Sequence, residues 1–193
     1  MKTIKLLAIA CISAITFASC SDDNPTPTNE EEVITTMRIT LSPVGGGNDI
    51  VIQSQDLDGD GPNPPIVTQN ITLSANTTYN ATIVLLNETE DPAENITTEV
   101  AAEAEEHQFF YTATGINPTF TYTGANDSNG NPVGITFSLA SGSAGTGTIT
   151  VTLRHEPNKD ASGVSDGNIA NAGGETDIEV TFDITVQGTV IAV

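Results

Sequence analysis

The sequence predicts an all-β fold, an immunoglobulin-like antiparallel β-sandwich with one short helix. Apolar and polar residues alternate along many short segments, which is the pattern of half-buried antiparallel strands. Glycine-rich and Asp-Gly turns separate these segments. About nine such segments fall within one domain of this length, which favours a sandwich and leaves a barrel as the alternative.

The strand segments follow one another along most of the chain. Six of them alternate cleanly between apolar residues and mostly threonine, and three are less regular. The clean segments are 37–41, 79–85, 120–122, 135–139, 149–153 and 178–186, and the less regular ones are 49–55, 66–73 and 107–113.

One segment interrupts the two-residue rhythm. It begins at Asp91-Pro92, which offers a capping side chain before a proline at the first helical position. The stretch TEVAAEAEE, residues 98–106, is rich in residues that favour helices. Residues 91–105 are therefore predicted to contain a short helix between two strands.

The first 32 residues predict export and lipid anchoring. A basic start precedes an apolar run, Leu6 to Phe17, that is too short to span a membrane and is typical of a secretory signal. Ala18-Ser19-Cys20 resembles the processing site of bacterial lipoproteins, in which the cysteine is acylated; an ordinary signal peptide with an incidental cysteine is the alternative. The predicted organisation is a signal peptide at 1–19, a lipidated acidic and Pro-rich tether at 20–32, and the sandwich domain at 33–193.

The charge of the chain excludes one class of partner. The net charge is −20, with 25 Asp and Glu against five Lys and Arg. Loss of the signal would remove two of the lysines and leave Arg38, Arg154 and Lys159. We expect no binding to nucleic acid, which needs Lys and Arg contacts to phosphates, and we expect attraction of cations.

An acidic loop offers a candidate calcium site. Asp56, Asp58 and Asp60 alternate with Leu57 and Gly59, so carboxylate oxygens could converge on one hard cation. The loop is not an EF-hand, because Val67 stands where the twelfth-position glutamate belongs and prolines follow the acidic run. The alternative is a polar turn, since Asp-Gly pairs are common turn formers.

The two histidines offer a candidate zinc or copper site. Each lies at the end of a predicted strand and next to glutamate. Two imidazoles and a carboxylate suit zinc or copper if both strand ends meet at the same edge of the sandwich. The candidate ligands are His107 and His155 with Glu105, Glu106 or Glu156. The alternative is one rim histidine paired with a carboxylate and one exposed histidine.

Catalytic motifs are absent from the sequence. No nucleophile motif of the serine or cysteine hydrolases occurs, and the acidic pairs lie in solvated runs. Few cationic side chains are available to hold a phosphate-bearing cofactor. We therefore expect a protein that is not an enzyme and has no organic cofactor.

Several stretches together resemble a group of exported bacterial proteins. The stretches Cys20-Ser21-Asp22-Asp23, 56–65, 105–111 and 154–157 resemble the small acidic surface lipoproteins of Bacteroidota, which are often encoded beside TonB-dependent receptors. The resemblance implies an outer-membrane lipoprotein exposed at the cell surface. The first hypothesis is an accessory module that captures a divalent cation for such an uptake receptor. The alternative is a structural or adhesive lipoprotein that calcium makes rigid and that has no role in uptake.

Overall fold

The alternating segments form ten strands that build two sheets. The structure, a computed structural model, describes residues 32–59 and 61–188, which lie in the compact unit Glu31–Val193. Cys20, the predicted signal peptide, most of the predicted tether and Asp60 lie outside the described residues. The strands are β1 (Thr36–Pro43), β2 (Ile50–Gln55), β3 (Ile66–Val67), β4 (Ile71–Ser74), β5 (Thr78–Leu86), β6 (His107–Thr114), β7 (Thr119–Tyr122), β8 (Thr136–Ala140), β9 (Gly145–His155) and β10 (Glu175–Gln187).

The two sheets form a sandwich. One sheet has six strands in the order β3-β2-β1-β5-β8-β7, and the other has four in the order β4-β10-β9-β6. Neighbouring strands are antiparallel except for β4 and β10, which are parallel. The predicted all-β sandwich with one short helix is confirmed.

Alternate side chains of both sheets form one apolar core. Successive residues of a strand point to opposite faces, so the apolar half of each alternating segment is buried. Burial of each large aliphatic or aromatic side chain contributes roughly 1.5–3 kcal/mol. Core members from the six-stranded sheet include Met37, Ile39, Ile83, Leu85 and Phe137, and those from the four-stranded sheet include Phe109, Val151, Leu153 and Phe182.

The predicted segment 66–73 divides between the two sheets. Its first part is β3, which pairs with β2, and its second part is β4, which pairs with β10. Asn70 lies between them with a φ of 58°, a left-handed conformation that asparagine tolerates better than most residues. The chain therefore changes sheets within a segment that reads as one strand.

The predicted helix is confirmed, but its predicted cap is wrong. Helix α1 (Ile96–Ala102) buries Ile96 and Val100, which are one turn apart. Asn87 and Glu94 exchange two backbone hydrogen bonds of 3.0 Å, so the chain is still paired as an isolated bridge after Pro92. The helix consequently begins after Asn95 and not after Asp91. In the described part of the chain, no helix is long and apolar enough to cross a bilayer.

The long connection from β9 to β10 packs on the outer face of β6. Val164 and Ala172 of this connection form a second buried cluster with Phe110. A short 3-10 helix, Ile169–Asn171, lies near its end. The connection thus has its own apolar anchor, and it delivers the start of β10 to the end of β9.

A buried ion pair ties the same connection to the rest of the domain. Lys159 Nζ lies 3.1 Å from Asp127 Oδ2 and also donates to the carbonyl oxygens of Ala104 and Pro132. Burial lowers the pKa of Lys159, although Asp127 acts against this shift. Burial acts to raise the pKa of Asp127, but hydrogen bonds from Asn131 and Lys159 outweigh it, so that pKa is lowered.

Candidate metal centre

Four side chains converge at one end of the four-stranded sheet, where β6 and β10 begin and β9 ends. They are Glu32, His107, His155 and Asp177. Each offers one ligand atom, and these four atoms lie within 4.8 Å of one another. The group combines two imidazoles with two carboxylates, so it could hold a metal ion.

Strand register brings the two histidines together. His107 is the first residue of β6 and His155 is the last residue of β9, and the two are direct partners in the antiparallel pair. Both are in phase with the core residues Phe109 and Leu153, so both point inward. Their ring centroids are 4.6 Å apart, and His107 is fully buried. The two strand ends therefore meet at one edge of the sandwich.

A β-bulge supplies Asp177. Thr176 pairs with Arg154 and Ile178 pairs with Leu153, which leaves Asp177 as the extra residue of β10. A bulge of this kind redirects a side chain that regular alternation would send to the other face. The Asp177 side chain is only 2% exposed, and its Oδ1 lies 3.5 Å from Nδ1 of His155.

A glycine lets the chain approach β9 just before this bulge. Gly174 has a φ of +67°, and a Cβ at this position would lie 2.1 Å from the carbonyl oxygen of His155. No other residue fits that contact without moving the backbone. Gly174 therefore holds the start of β10, and with it Asp177, against the end of β9.

Glu32 reaches the cluster from the segment that precedes β1. Its Oε1 lies 3.0 Å from Nε2 of His107, and its Oε2 lies 3.6 Å from Nδ1 of His155. The side chain is 6% exposed. Glu32 is the last residue of the predicted tether, and in the structure its carboxylate lies at the histidines.

The separations suit a tetrahedral ion. Bonds of about 2.0–2.2 Å from a tetrahedral centre to nitrogen and oxygen place neighbouring ligand atoms about 3.3–3.6 Å apart. Besides the distances already given for Glu32 and Asp177, Nε2 of His107 lies 3.8 Å from Oδ2 of Asp177. These distances are close to that spacing, and one ligand atom from each of the four residues lies within 4.8 Å of the others.

The ring nitrogens of His107 are arranged as in a metal-bound histidine. His107 Nε2 and His155 Nδ1 face the carboxylates, are buried and have no hydrogen-bond partner among the described residues. The opposite nitrogen of His107, Nδ1, lies 3.2 Å from the carbonyl oxygen of Glu103, and metal-binding histidines characteristically direct their second nitrogen at such an acceptor. The opposite nitrogen of His155, Nε2, is also buried without a hydrogen-bond partner among the described residues, and the exposed carboxylate of Glu106 is 4.0 Å away.

The charge balance also favours a cation. With neutral imidazoles the four side chains carry two negative charges in a buried space, which is costly without compensation. One divalent cation would cancel both charges. Protonation of both histidines would cancel them as well, and a metal titration distinguishes the two arrangements.

The glutamates that flank the histidines in sequence lie outside the cluster. Glu106 precedes β6 and Glu156 follows β9, and neither belongs to the cluster. Both are exposed. Glu105 accepts a hydrogen bond from the backbone N–H of Ser128 at 3.4 Å. The pKa of Glu105 is lowered, first by a hydrogen bond with the Ser128 side chain and then by backbone hydrogen bonds. No local signal in the sequence marks Glu32 or Asp177 as ligands, since one lies in an acidic run and the other is out of phase with its strand.

The acidic loop after β2 forms its own hydrogen bonds. Asp58 Oδ2 accepts from the side-chain amide of Asn63 at 2.7 Å and from its backbone N–H at 3.3 Å. Asp56 Oδ1 accepts from the backbone of Asp58 at 3.3 Å. The carboxylates thus serve the turn itself, and calcium binding by Asp56, Asp58 and Asp60 stays a prediction.

Comparison with protein-family models, curated proteins and solved structures finds no match for this chain. The functional argument therefore depends on the chemistry of the four clustered side chains.

Proposed function

We propose that this domain binds one zinc ion between Glu32, His107, His155 and Asp177. The observation that carries the proposal is the pair of buried, unpartnered ring nitrogens that face two buried carboxylates. Mixed nitrogen and oxygen ligands suit a borderline cation, whereas calcium and magnesium prefer oxygen alone. Zinc accepts a tetrahedral arrangement, whereas copper(II) favours a tetragonal one, so we propose zinc in preference to copper.

The ion would be bound and held, without a catalytic role. Four protein ligands complete a tetrahedral shell, whereas catalytic zinc sites keep one position open for water or substrate. All four side chains are at most 6% exposed, which leaves little access for a substrate. The proposal is therefore a metal-binding protein that is not an enzyme.

The N-terminal sequence sets the proposed cellular context. The lipoprotein-like processing site supports a domain anchored to the outer membrane through Cys20, and the acidic charge supports attraction of cations. We place the domain at the cell surface as an accessory module that captures a divalent cation for a TonB-dependent uptake receptor. An adjacent receptor gene would support this context.

The alternative is a structural or adhesive lipoprotein that calcium makes rigid. The loop of Asp56 and Asp58 lies beside an opening lined by Asn63 and Pro64, and this is the observation that supports it. The two functions differ in their ligands, because zinc capture needs the histidines and calcium needs only the aspartates.

Calorimetric titration tests zinc binding. We expect the wild-type domain to bind about one zinc ion, and we expect the affinity to fall below roughly pH 6 because protonated imidazole cannot bind a metal. The double variant His107→Ala/His155→Ala should lose binding. Glu156→Gln, which alters an exposed carboxylate next to His155, should keep it. Equal zinc binding by the wild type and the double variant would remove the proposal.

A further inference from the structure

We infer that the metal ion attaches the N-terminal segment, here Glu32 and Val33, to the sandwich. The residue at which this segment leaves the domain therefore depends on metal. The inference rests on the proposed zinc site, because Glu32 is the ligand that the N-terminal segment contributes. The other three ligands belong to β6, β9 and β10.

The sandwich itself holds the chain from Ile34 onward, through packing of Ile34 on the core and backbone hydrogen bonds that begin at Thr35. The Thr35 backbone N–H donates to the carbonyl oxygen of Leu86 at 3.0 Å, and its own carbonyl oxygen accepts from Asp56 at 2.7 Å. Its hydroxyl also accepts from the backbone N–H of Glu88 at 2.8 Å. These bonds do not involve the metal centre, so they persist when the metal is removed.

Residues 32 and 33 depend on the cluster instead. Val33 is 58% exposed and adds little packing, whereas Ile34 is half-buried and packs against the core. The buried carboxylate of Glu32 is held at His107 and His155. This one side chain therefore carries the attachment of the segment ahead of Ile34.

Electrostatics favour release of Glu32 when no cation is present. Its carboxylate faces that of Asp177 across the site. Glu99 of α1 has a raised pKa, caused first by burial, then by Glu94 and also by Glu32, so Glu32 lies in a region of negative charge. A divalent cation converts this repulsion into shared coordination.

Loss of the metal would change which residue of the N-terminal segment is the first one attached to the sandwich. Two extended residues span about 7 Å, so release of Glu32 moves the last point of attachment from Glu32 to Ile34 over that distance. A metal-loaded domain would keep Glu32 and Val33 attached to the sandwich. By thermodynamic linkage, any restraint that brings the N-terminal segment to the site would tighten metal binding equally.

Backbone dynamics of Val33 test the inference. The protein is prepared from residue 20 onward with Cys20→Ser, which leaves the compact unit Glu31–Val193 whole. The heteronuclear NOE and order parameter of the Val33 amide are measured with saturating zinc and with chelator. We expect an order parameter near 0.85 with zinc and below about 0.6 without it. A Val33 amide that is equally rigid in both states would overturn the inference.

Two ligand variants separate the tether effect from loss of metal. At zinc concentrations that saturate each protein, Glu32→Gln should leave Val33 mobile, whereas Asp177→Asn should keep it ordered. Glu31→Gln, which removes an adjacent charge, should behave as the wild type. An ordered Val33 amide in Glu32→Gln would overturn the inference and leave the zinc proposal standing. Absence of zinc binding in calorimetry on the wild type would overturn both.

Discussion

Buried charged and histidine side chains gather in two places among the described residues, and the two places differ in how their polar atoms are satisfied. Lys159 Nζ has three oxygen acceptors, and both oxygens of Asp127 accept hydrogen bonds. In the other place, His107 Nε2 and His155 Nδ1 have no hydrogen-bond partner among the described residues. A satisfied buried pair supports the fold, whereas unpartnered buried nitrogens beside carboxylates indicate a site for an ion.

Removal of one partner of the satisfied pair should destabilise the domain. Asp127→Asn leaves the Lys159 charge buried without its counterion, which costs roughly 3–5 kcal/mol. For a domain of this size we expect the melting temperature to fall by roughly 6–20 °C, at about 2–4 °C per kcal/mol. Asp166→Asn, at an exposed acid on the same connection, serves as the control in thermal unfolding and should change little.

The same pair predicts how the effect depends on pH. The pKa of Asp127 is lowered from 3.8 in the folded protein, so its contribution to stability is present above that value and is lost as the pH falls through the lowered pKa. The difference between the wild type and Asp127→Asn should therefore be full at pH 7 and shrink in strongly acidic solution. A difference that stays constant from pH 7 to pH 2 would contradict the charged pair.

A β-bulge at the start of β10 places Asp177, which regular alternation would expose, among the proposed metal ligands. Regular alternation along β10 would place Asp177 with the exposed Glu179, but the bulge places it beside His155. Gly174, just before the strand, makes the approach possible. A bulge depends on pairing with the neighbouring strand, so alternation within β10 alone does not reveal it.

Gly174→Ala should weaken zinc binding through this element. Its Cβ would lie 2.1 Å from the carbonyl oxygen of His155, so the start of β10 must shift and carry Asp177 with it. Gly173→Ala is a matched control, because Gly173 also has a positive φ, +61°, but a Cβ there has nothing within 4 Å. Both variants bear the left-handed cost of roughly 1–2 kcal/mol in thermal unfolding. Only Gly174→Ala should lose zinc affinity in calorimetry, and equal affinities would show that the close approach does not position Asp177.

Calcium binding by the acidic loop after β2 is a second prediction about a single structural element. If Asp56, Asp58 and Asp60 bind calcium, a hundredfold excess over Kd should stabilise the folded state by about 2.7 kcal/mol and raise the melting temperature by roughly 5–10 °C. Magnesium should do much less, because it requires a tighter octahedron and loses water reluctantly. Thermal unfolding in calcium, magnesium and chelator measures this. A shift that is equal for both ions, or that survives Asp58→Ala, would mean that the stretch is only a turn.

Location is a property of the whole molecule, and it depends on one residue. Cys20→Ser should leave the precursor unacylated and release the domain from membranes, because stable anchoring requires acyl chains on that cysteine. Metabolic acyl labelling followed by membrane fractionation in a bacterial host measures both effects. Cys11→Ser, at the other cysteine of the chain, should remain labelled and membrane-bound. A Cys20→Ser protein that still labels and sediments with outer membranes would exclude the lipoprotein prediction.

Alternation and turn chemistry were sufficient to predict the class of the whole fold. The two-residue period is local, so it appears in the sequence wherever one face of a strand is buried, as in Ile149 to Leu153. A helix within 91–105 was predictable for a similar reason, since helix propensity is also local. The start of α1 was not, because the bridge between Asn87 and Glu94 competes for the backbone that the predicted cap would use.

Half of the candidate site was visible in the sequence by itself, and the other half was decided by tertiary structure. The alternation pattern predicts His107 and His155 as inward-facing residues at strand ends, because each is in phase with buried neighbours. Their acidic partners follow from long-range geometry: register aligns the strand ends, a bulge redirects Asp177, and the segment before β1 delivers Glu32. Of the adjacent glutamates, Glu106 lies 4.0 Å from Nε2 of His155, the nitrogen opposite the cluster, and is not one of the four clustered side chains. The ligands that meet these histidines therefore come from distant parts of the chain, which only strand pairing in three dimensions brings together.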